Sequence, residues 1–584
     1  MKPVLKNGNK ILVLTGFDKF WPNKDHEAVF LGPWCFTFNK KYDYQDHESF
    51  YVVESPWSSN SDICKGSLYI NELIDRLIPE VSIFLNKYFG TEFSESFWTI
   101  STICWMVNWL DLLYDRYMYL EQVGKIFRGD EKLKVKISAN PYRYEIEDCG
   151  HLSKVCYTHE YNLCLFSQII KAANFDFLSA EEIDTSFDKV QFQNDRRELL
   201  RSVLKQCCHF LFPTDVYFGE INGFTLKDKL YLHLGRRKKY DLHGTNKKIF
   251  PKDKDFLQNR TLEFDAQNNF ERIVKKLFVK NLPTALLREI PALSKSEQVK
   301  YWVGHNIWKR QTNSFKIARI VENGGTWISF QHGGGYGQNF FPNLVKVEFA
   351  TSGNFISWGW DHKYIYDCKI FPLPSPYLSN LKVHSRRSDK IFYIGSLRPA
   401  YRHRLYSRSP GISQMPYIKN KVQFLKNLLP NIRDNLIYKP YANDYGINQR
   451  RDLSAILPES QLVTSSVKNA REYITECRLF VSDHLGTSYL ESLAMNVPTV
   501  IFWSPEHFAI IDKAKTDLKE LEEAGIYHKT PESAAEHVNK IYDDVDSWWE
   551  SDTVRQVREK FTHKYARTSP HYLKEWLDFI KKFP

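Results

Sequence analysis

The chain has 584 residues, of which 43% are apolar and 26% are charged, and its formal net charge is +11. This length exceeds what one hydrophobic core supports, and the composition excludes a disordered chain, so we expect a globular protein of two or three domains. The modest positive charge favours an anionic substrate or an anionic membrane surface. Zinc-finger spacing, RNA-binding aromatic motifs and a long basic tail are all missing, so we expect no nucleic-acid partner.

The cysteines and the apolar runs of the sequence indicate the cellular compartment of the protein. Ten cysteines are scattered without a C-x-x-C pair, and several lie in apolar runs, which predicts neither a disulfide framework nor a metal site. Residues 1–10 are polar, and Asn108 and Asp111 interrupt the longest apolar stretch, Phe97–Tyr114. We therefore expect a cytoplasmic protein, and peripheral association with the inner face of the plasma membrane stays open.

The first part of the chain, residues 1–370, combines strand and helix signals. Ile11–Leu14 and Ala28–Leu31 predict two early strands. From about residue 65 to residue 210, apolar residues recur at helical spacing, which predicts a helical insertion. The Trp-rich segment Phe97–Tyr119 is typical of a packed core helix.

A glycine-rich loop, QHGGGYG, directly follows the predicted strand Trp327–Phe330. Gly333, Gly334 and Gly335 let the backbone approach a ligand closely, and we assign them to the donor site. His332 stands at the strand end, where an imidazole can donate to an anion or act as an acid or base. We predict that His332 is catalytic; a glycine-rich turn with an orienting histidine is the alternative.

The second part of the chain is predicted to be a separate unit. Prolines at positions 372, 374 and 376 indicate a linker over 371–389. Strand and helix signals then alternate over 390–560, which predicts a doubly wound parallel sheet. Residues 561–584 are predicted to form a helix that packs back on the first domain.

The segment SDHLGTSYLESLAMNVPTVIFW, residues 482–503, is typical of a strand, a turn, a helix and a second strand. Its turn offers backbone N–H groups and hydroxyls to an anion, and Glu491 follows one turn into the helix. A phosphate at the helix start and a carboxylate beyond it suit a nucleotide and its ribose hydroxyls. We assign seven residues to donor binding here: Ser482, Asp483, His484, Gly486, Thr487, Ser488 and Glu491.

Basic residues after two strands of this second unit are further candidates. The cluster Arg398, Arg402 and Arg404 follows the first strand, and Lys439 ends another. Guanidinium groups suit a donor phosphate, so we assign all four residues to donor binding, with a solvated charged face as the alternative. The glycine-rich loop and the 486–491 turn should line opposite sides of a cleft between the two units.

Four blocks of the sequence resemble known transferases: 15–35, 98–117, 328–337 with 355–360, and 482–503. The layout resembles GT-B glycosyltransferases, and the blocks look like those of a transferase family found in bacterial O-antigen and capsule gene clusters. That family is distantly similar to capsule enzymes that transfer Kdo-like sugars or polyol phosphates. The resemblance implies an α/β GT-B fold of two Rossmann-like doubly wound domains facing a cleft, metal-independent chemistry and no cofactor.

A transferase of this kind needs a base or a nucleophile, and acidic residues in early loops are candidates. Asp18 comes just after the first strand and Glu27 precedes the GPWC turn, so we assign both as catalytic beside His332.

Together these features predict transfer of a sugar from a nucleotide donor. The resemblance implies a bacterial surface polysaccharide as the product and a CMP-linked nonulosonic or Kdo-type sugar as the best-matched donor, and a UDP-linked sugar stays open because it needs the same carboxylate and phosphate-binding helix. The expected partners are a nucleotide-sugar donor and a glycan acceptor, and attachment of the acceptor to a lipid stays open. Two alternatives remain, a CDP-polyol phosphotransferase and a catalytically silent glycan-binding scaffold of the same fold.

Overall fold

The computed structural model describes residues 10–22, 27–36, 50–57, 59–127, 132–184, 214–236, 259–290, 299–304, 311–383, 385–386, 388–397, 399–405, 414–443, 445, 449–463 and 469–583. These residues form three five-stranded sheets whose paired strands all run parallel. Parallel neighbours require long crossovers, which helices supply here. The predicted α/β class is confirmed.

The first sheet has the strand order β3-β2-β1-β4-β5. Its strands are β1 Lys10–Val13, β2 Glu27–Phe30, β3 Phe50–Val52, β4 Leu133–Ser138 and β5 Leu178–Ile183. Its helices are α1 Asn60–Phe89, α2 Glu95–Phe127, α3 Cys149–Val155 and α4 His159–Ala173. The region that we expected to be a helical insertion thus also contributes two strands, β4 and β5, which extend the sheet of β1–β3.

The middle sheet has the order β10-β9-β8-β7-β6. Its strands are β6 Val216–Phe218, β7 Tyr301–Val303, β8 Thr326–Phe330, β9 Asn354–Ser357 and β10 Lys369–Pro372. Its helices are α5 Leu226–Gly235, α6 Asn269–Leu277, α7 Thr284–Glu289, α8 Gln311–Glu322, α9 Pro342–Val345 with a π-helix at Lys346–Ala350, and α10 Pro376–Ser379. The proline-spaced segment enters this sheet as an edge strand, where proline is tolerated.

The third sheet has the order β12-β11-β13-β14-β15. Its strands are β11 Ile391–Ile394, β12 Leu436–Lys439, β13 Leu479–Ser482, β14 Thr499–Phe502 and β15 Tyr527–His528. Its helices are α11 Gln414–Asn427, α12 Pro430–Arg433, α13 Gln449–Ser454, α14 Ala470–Glu476, α15 Ser488–Ala494, α16 Asp512–Glu523 and α17 Pro531–Ile541. This is the predicted doubly wound arrangement.

Three helices end the chain: α18 Val545–Trp549, α19 Asp552–Tyr565 and α20 Tyr572–Lys581. The buried Trp576 of α20 donates its indole N–H to the carbonyl of Pro374 at 3.0 Å, and its ring lies 5.6 Å from that of Phe330. The last helix therefore packs on the middle sheet. The exact domain boundaries stay a prediction.

Helix α2 is the central helix of the largest core. Trp98, Trp105 and Trp109 on α2 are fully buried, as expected for a packed core helix. Its neighbour α1 begins where the Ser59 hydroxyl accepts the Asp62 N–H and ends where Gly90 takes a left-handed conformation. Among the described residues, no helix combines the length and the apolar character needed to cross a membrane.

Candidate functional site

The strand order of the third sheet defines a candidate ligand-binding crevice. Strands β12 and β13 flank β11 on opposite sides, so the chain reverses direction across the sheet at β11. Open parallel sheets bind ligands above the carboxyl ends of the strands at such a switch point. The turn 483–487 follows β13 at this position, so the structure places the predicted donor segment in the crevice.

The two loops that we expected to face each other are in direct contact. The backbone N–H of Gly334 donates to Thr487 Oγ1 at 2.9 Å, and the Thr487 side chain makes no capping bond to its own helix. A Cβ built on Gly334 would lie 2.0 Å from the carbonyl oxygen of Gly486. Only glycine permits this approach of the middle sheet to the third sheet.

Replacing Gly334 by alanine is expected to force the two loops apart. The new methyl group overlaps the Gly486 backbone, and overpacking of this kind costs about 1–3 kcal/mol. The melting temperature should fall, and Gly333→Ala is the matched control because its Cβ would lie 3.3 Å from Thr487 Oγ1 only. Equal melting temperatures for the two variants would contradict the contact.

Gln331 fixes the shape of the glycine-rich loop. Its Oε1 accepts the backbone N–H of Trp358 and the indole N–H of Trp360, both at 2.9 Å, while its Nε2 donates to the carbonyl of Gly333 at 2.9 Å. Gly335 has a φ of 88°, a left-handed conformation that favours glycine. The loop is therefore held rigidly beside the crevice.

His332 lies in this loop and contacts a buried carboxylate. Its Nδ1 is 3.2 Å from Glu348 Oε1 and 2.9 Å from the Tyr336 hydroxyl. The same hydroxyl donates to Glu348 Oε2 at 2.6 Å. The His332 side chain is 33% exposed, whereas that of Glu348 is fully buried.

These distances indicate which ring nitrogen carries the proton. Because Tyr336 gives its hydrogen to Glu348, its oxygen can only accept from Nδ1–H of His332. The basic lone pair of the imidazole then lies on Nε2. A histidine oriented in this way by a buried carboxylate is the arrangement that general bases use.

Glu348 was missed by the sequence analysis. It lies on the π-helix Lys346–Ala350, and such single π-turns are frequent at functional sites. The available signal was an acidic residue within an otherwise mainly apolar segment, 340–350. Its pairing with His332 depends on tertiary structure, so spacing alone did not reveal it.

Asp483 supports the crevice from within the sheet. Its carboxylate is buried, accepts from the Tyr393 hydroxyl at 2.7 Å and lies 3.6 Å from Lys421 Nζ. Burial lowers the pKa of Lys421 to about 8. Since Lys421 also donates to the Ser396 carbonyl at 2.8 Å, the pair fixes the loop after β11. We had assigned Asp483 to donor binding, and the structure instead places it in this internal pair.

The remaining residues of the turn lie around the crevice. Ser482 Oγ is 3.3 Å from His484 Nδ1, and a Cβ on Gly486 would lie 2.7 Å from the His484 ring. Ser488 begins α15 and is half-buried. Lys439 ends β12, and burial lowers its pKa.

Glu491 lies one turn into α15, as predicted. It is 9% exposed, and burial raises its pKa. Its Oε1 accepts a hydrogen bond from the hydroxyl of Tyr377, which belongs to α10 of the middle sheet. Sequence analysis did not predict this partner.

Two arginines of the predicted cluster, Arg402 and Arg404, contact helix α2, which corrects our expectation that they face the crevice. Arg402 Nε lies 3.1 Å from Asp115 Oδ1, and Arg404 Nε donates to Asn108 Oδ1 at 2.9 Å. Both partners belong to α2, so these arginines anchor the loop after β11 to the first sheet. Arg398 lies outside the described residues.

The two early acidic candidates have different outcomes. Asp18 begins a 3-10 turn at the carboxyl edge of the first sheet, and its side chain lies outside the described part of the chain. Glu27 pairs with Lys10 in register at the amino end of its strand, the edge opposite to that where ligands bind. The structure therefore does not support Glu27 as catalytic.

Within the described ranges, no group of three or more His, Cys, Asp or Glu side chains is arranged to hold a metal ion.

Comparisons with known proteins give structural neighbours of low similarity. The wall teichoic acid polymerase TagF is 14% identical over 49% of this chain and 72% of its own, with a TM-score of 0.29. The pneumococcal O-GlcNAc transferase GtfA is 11% identical over 48% and 56%, with a TM-score of 0.30. MurG of Acinetobacter baumannii is 12% identical over 54% and 80%, with a TM-score of 0.30. We transfer no residue roles from matches at this level.

No protein of curated function matches the chain by sequence. A family model does match, and it spans residues 10–580, which include all three sheets and both loops of the crevice. The chain therefore belongs to the LIC12162 family of transferases.

Proposed function

We propose that this transferase is a glycosyltransferase that moves a sugar from a nucleotide-activated donor to a glycan acceptor. The observation that carries the proposal is the direct contact of the His332 loop with the turn above β13, through Gly334 and Thr487. A candidate base and a candidate nucleotide site thus adjoin. Transfer requires that proximity, because the acceptor hydroxyl must reach the sugar carbon bound to the leaving phosphate.

In the proposed reaction, Nε2 of His332 accepts the proton of the acceptor hydroxyl while the hydroxyl oxygen bonds to the anomeric carbon of the donor. The bond from that carbon to the phosphate oxygen breaks, and the nucleotide leaves with the electron pair. Glu348 stabilises the imidazolium that forms, because it is a buried acceptor at 3.2 Å from Nδ1. This single displacement inverts the anomeric configuration.

The finer part of the proposal concerns the substrates. The resemblance of the sequence blocks to transferases of surface-polysaccharide gene clusters supports a bacterial O-antigen or capsule product and a CMP-linked nonulosonic or Kdo-type donor. The acceptor would be the growing glycan, and a lipid-linked acceptor would bring the protein to the inner face of the plasma membrane. Phosphodiester bonds in the product would overturn glycosyl transfer and identify a CDP-polyol phosphotransferase.

A thermal-shift panel of CMP, CDP, UDP, GDP and ADP tests the donor site. A nucleotide at about 100 times its Kd stabilises the folded state by about 2.7 kcal/mol, which raises the melting temperature. We expect the protein to be stabilised selectively by nucleotides that carry one particular nucleobase. Glu491→Gln should weaken binding of that nucleotide roughly fivefold to tenfold, because a hydrogen bond to a charged group becomes a neutral one.

The matched control is Glu536→Gln, which changes an exposed glutamate on α17 in the same way and should bind as the wild type does. A wild-type protein that no nucleotide stabilises would overturn the donor site and favour a silent scaffold. Unchanged binding by Glu491→Gln would overturn the assignment of Glu491 to the ribose.

A further inference from the structure

Tyr377 connects the middle sheet to the candidate donor site. It lies on α10, which follows the edge strand β10, and its hydroxyl donates to Glu491 Oε1 on α15 of the third sheet. The guanidinium carbon of Arg471 lies 5.5 Å from the centre of the Tyr377 ring. Two parts of the fold that are far apart in sequence therefore meet at this carboxylate.

The position of Tyr377 is fixed by its surroundings. Gly223 has a φ of 91°, and a Cβ on it would lie 2.2 Å from the Tyr377 backbone nitrogen. Asn380 Nδ2 donates to the Gly223 carbonyl at 3.2 Å, and the Ser375 hydroxyl accepts the N–H of Leu378 at 3.2 Å. The tyrosine is thus held by a rigid turn and a capped helix.

The same turn contacts the candidate base. Asn222, next to Gly223, donates its side-chain N–H to the His332 carbonyl at 3.1 Å. One short segment therefore touches both the His332 loop and the tyrosine that contacts Glu491. The His332 loop and the tyrosine that contacts Glu491 are therefore positioned by the same segment.

A carboxylate has two oxygens, and the tyrosine uses one of them. Oε1 of Glu491 accepts from Tyr377, and Oε2 makes no hydrogen bond to another described residue. We propose that Tyr377 is a positioning residue of the nucleotide site, which orients Glu491 so that Oε2 accepts a hydrogen bond from a ribose hydroxyl of the donor. This inference rests on the proposed function and adds a residue from the other half of the protein to the ribose contact.

The hydroxyl of Tyr377 also keeps the carboxylate ionised. Burial raises the pKa of Glu491, whereas the hydrogen bond from Tyr377 and the charge of Arg471 act in the opposite direction. Without the hydroxyl, a larger fraction of Glu491 is protonated at a given pH, and a protonated carboxyl group accepts more weakly. Loss of orientation and loss of charge therefore both weaken a ribose contact.

The test is Tyr377→Phe, which removes the hydroxyl and keeps the ring. Binding is measured by calorimetry for the nucleotide that the panel selects and for its 2′,3′-dideoxy form. We expect Tyr377→Phe to weaken the ribonucleotide roughly fivefold to tenfold, as for loss of one hydrogen bond, and to leave the dideoxy form unchanged. A purely structural role would weaken both. The control Tyr231→Phe changes an exposed tyrosine on α5 and should bind both as the wild type does.

The outcomes separate this inference from the function on which it rests. No nucleotide binding by the wild type would overturn both. Binding by the wild type with equal losses for the two nucleotides in Tyr377→Phe would overturn the inference alone. Tighter ribonucleotide binding by Tyr377→Phe would also overturn it, because Tyr377 would then compete with the ribose.

Discussion

Replacing His332 by asparagine is expected to lower kcat for transfer by roughly 10²- to 10⁴-fold, the usual contribution of a general base. Asparagine places a donor near the position of Nδ1, so the contact with buried Glu348 can persist, but it has no counterpart of the basic Nε2. The melting temperature should therefore stay close to that of the wild type. The measurement is initial-rate turnover with the donor whose nucleotide the thermal-shift panel selects.

His571→Asn is the matched control because His571 is exposed and precedes the last helix, α20. It should leave kcat unchanged. A His332→Asn protein with nearly wild-type kcat would remove the base from our mechanism and leave His332 with the orienting role that the sequence also allowed. Retained nucleotide binding in the same variant would show that the loss concerns the chemical step.

The class of the fold was predictable, whereas the number of sheets was not. Strands β11, β13 and β14 are almost continuous apolar runs, and β8 is mainly apolar, which is the signal of a buried parallel strand. Strands β4 and β5, with the sequences LKVKIS and LSAEEI, carry charged residues and give no such signal. They also lie within a region of helical pattern, so only the early strands β1 and β2 of the first sheet were predicted.

The sequence predicted those parts of the candidate site that lie in or just after glycine-containing turns at strand ends. His332 follows β8, and the turn that leads into the helix of Glu491 follows β13; parallel strands bring such positions to one edge. Glu348 and Tyr377 reach the site through tertiary packing, from a π-helix and from a short helix after an edge strand. No local pattern in the sequence specifies those contacts.

The prediction that Arg402 and Arg404 face the donor site was wrong for a related reason. Charge and position after a strand suggest a phosphate contact for Arg402, but they do not reveal a buried acidic partner contributed by α2. Asp111, on the same helix, accepts from Asn343 after the glycine-rich loop and from the N–H of Leu405 after β11. Helix α2 therefore joins the first sheet to the segment that follows β8 and to the segment that follows β11.

The charged residues of α2 should accordingly dominate the stability of this junction. We expect Asp115→Asn to destabilise the protein by about 3–5 kcal/mol, the cost of leaving a buried charge without its partner. Asp115 is the acceptor for two guanidinium groups, those of Arg116 and Arg402, and all three side chains are buried. Asparagine preserves the shape and removes the negative charge.

Urea unfolding followed by tryptophan fluorescence measures this effect, and Trp57 is one of the reporting tryptophans, since its indole N–H donates to Asp115 Oδ1 at 2.8 Å. The control is Asp512→Asn, whose pair with Lys515 is exposed to solvent and should contribute far less to the free energy of unfolding. Equal changes in the free energy of unfolding for the two substitutions would mean that water or a rearranged neighbour compensates the charges of Arg116 and Arg402. The loop after β11 would then owe its position to its other contacts, those of Leu405 with Asp111, of Arg404 with Asn108 and of Ser396 with Tyr417 and Lys421.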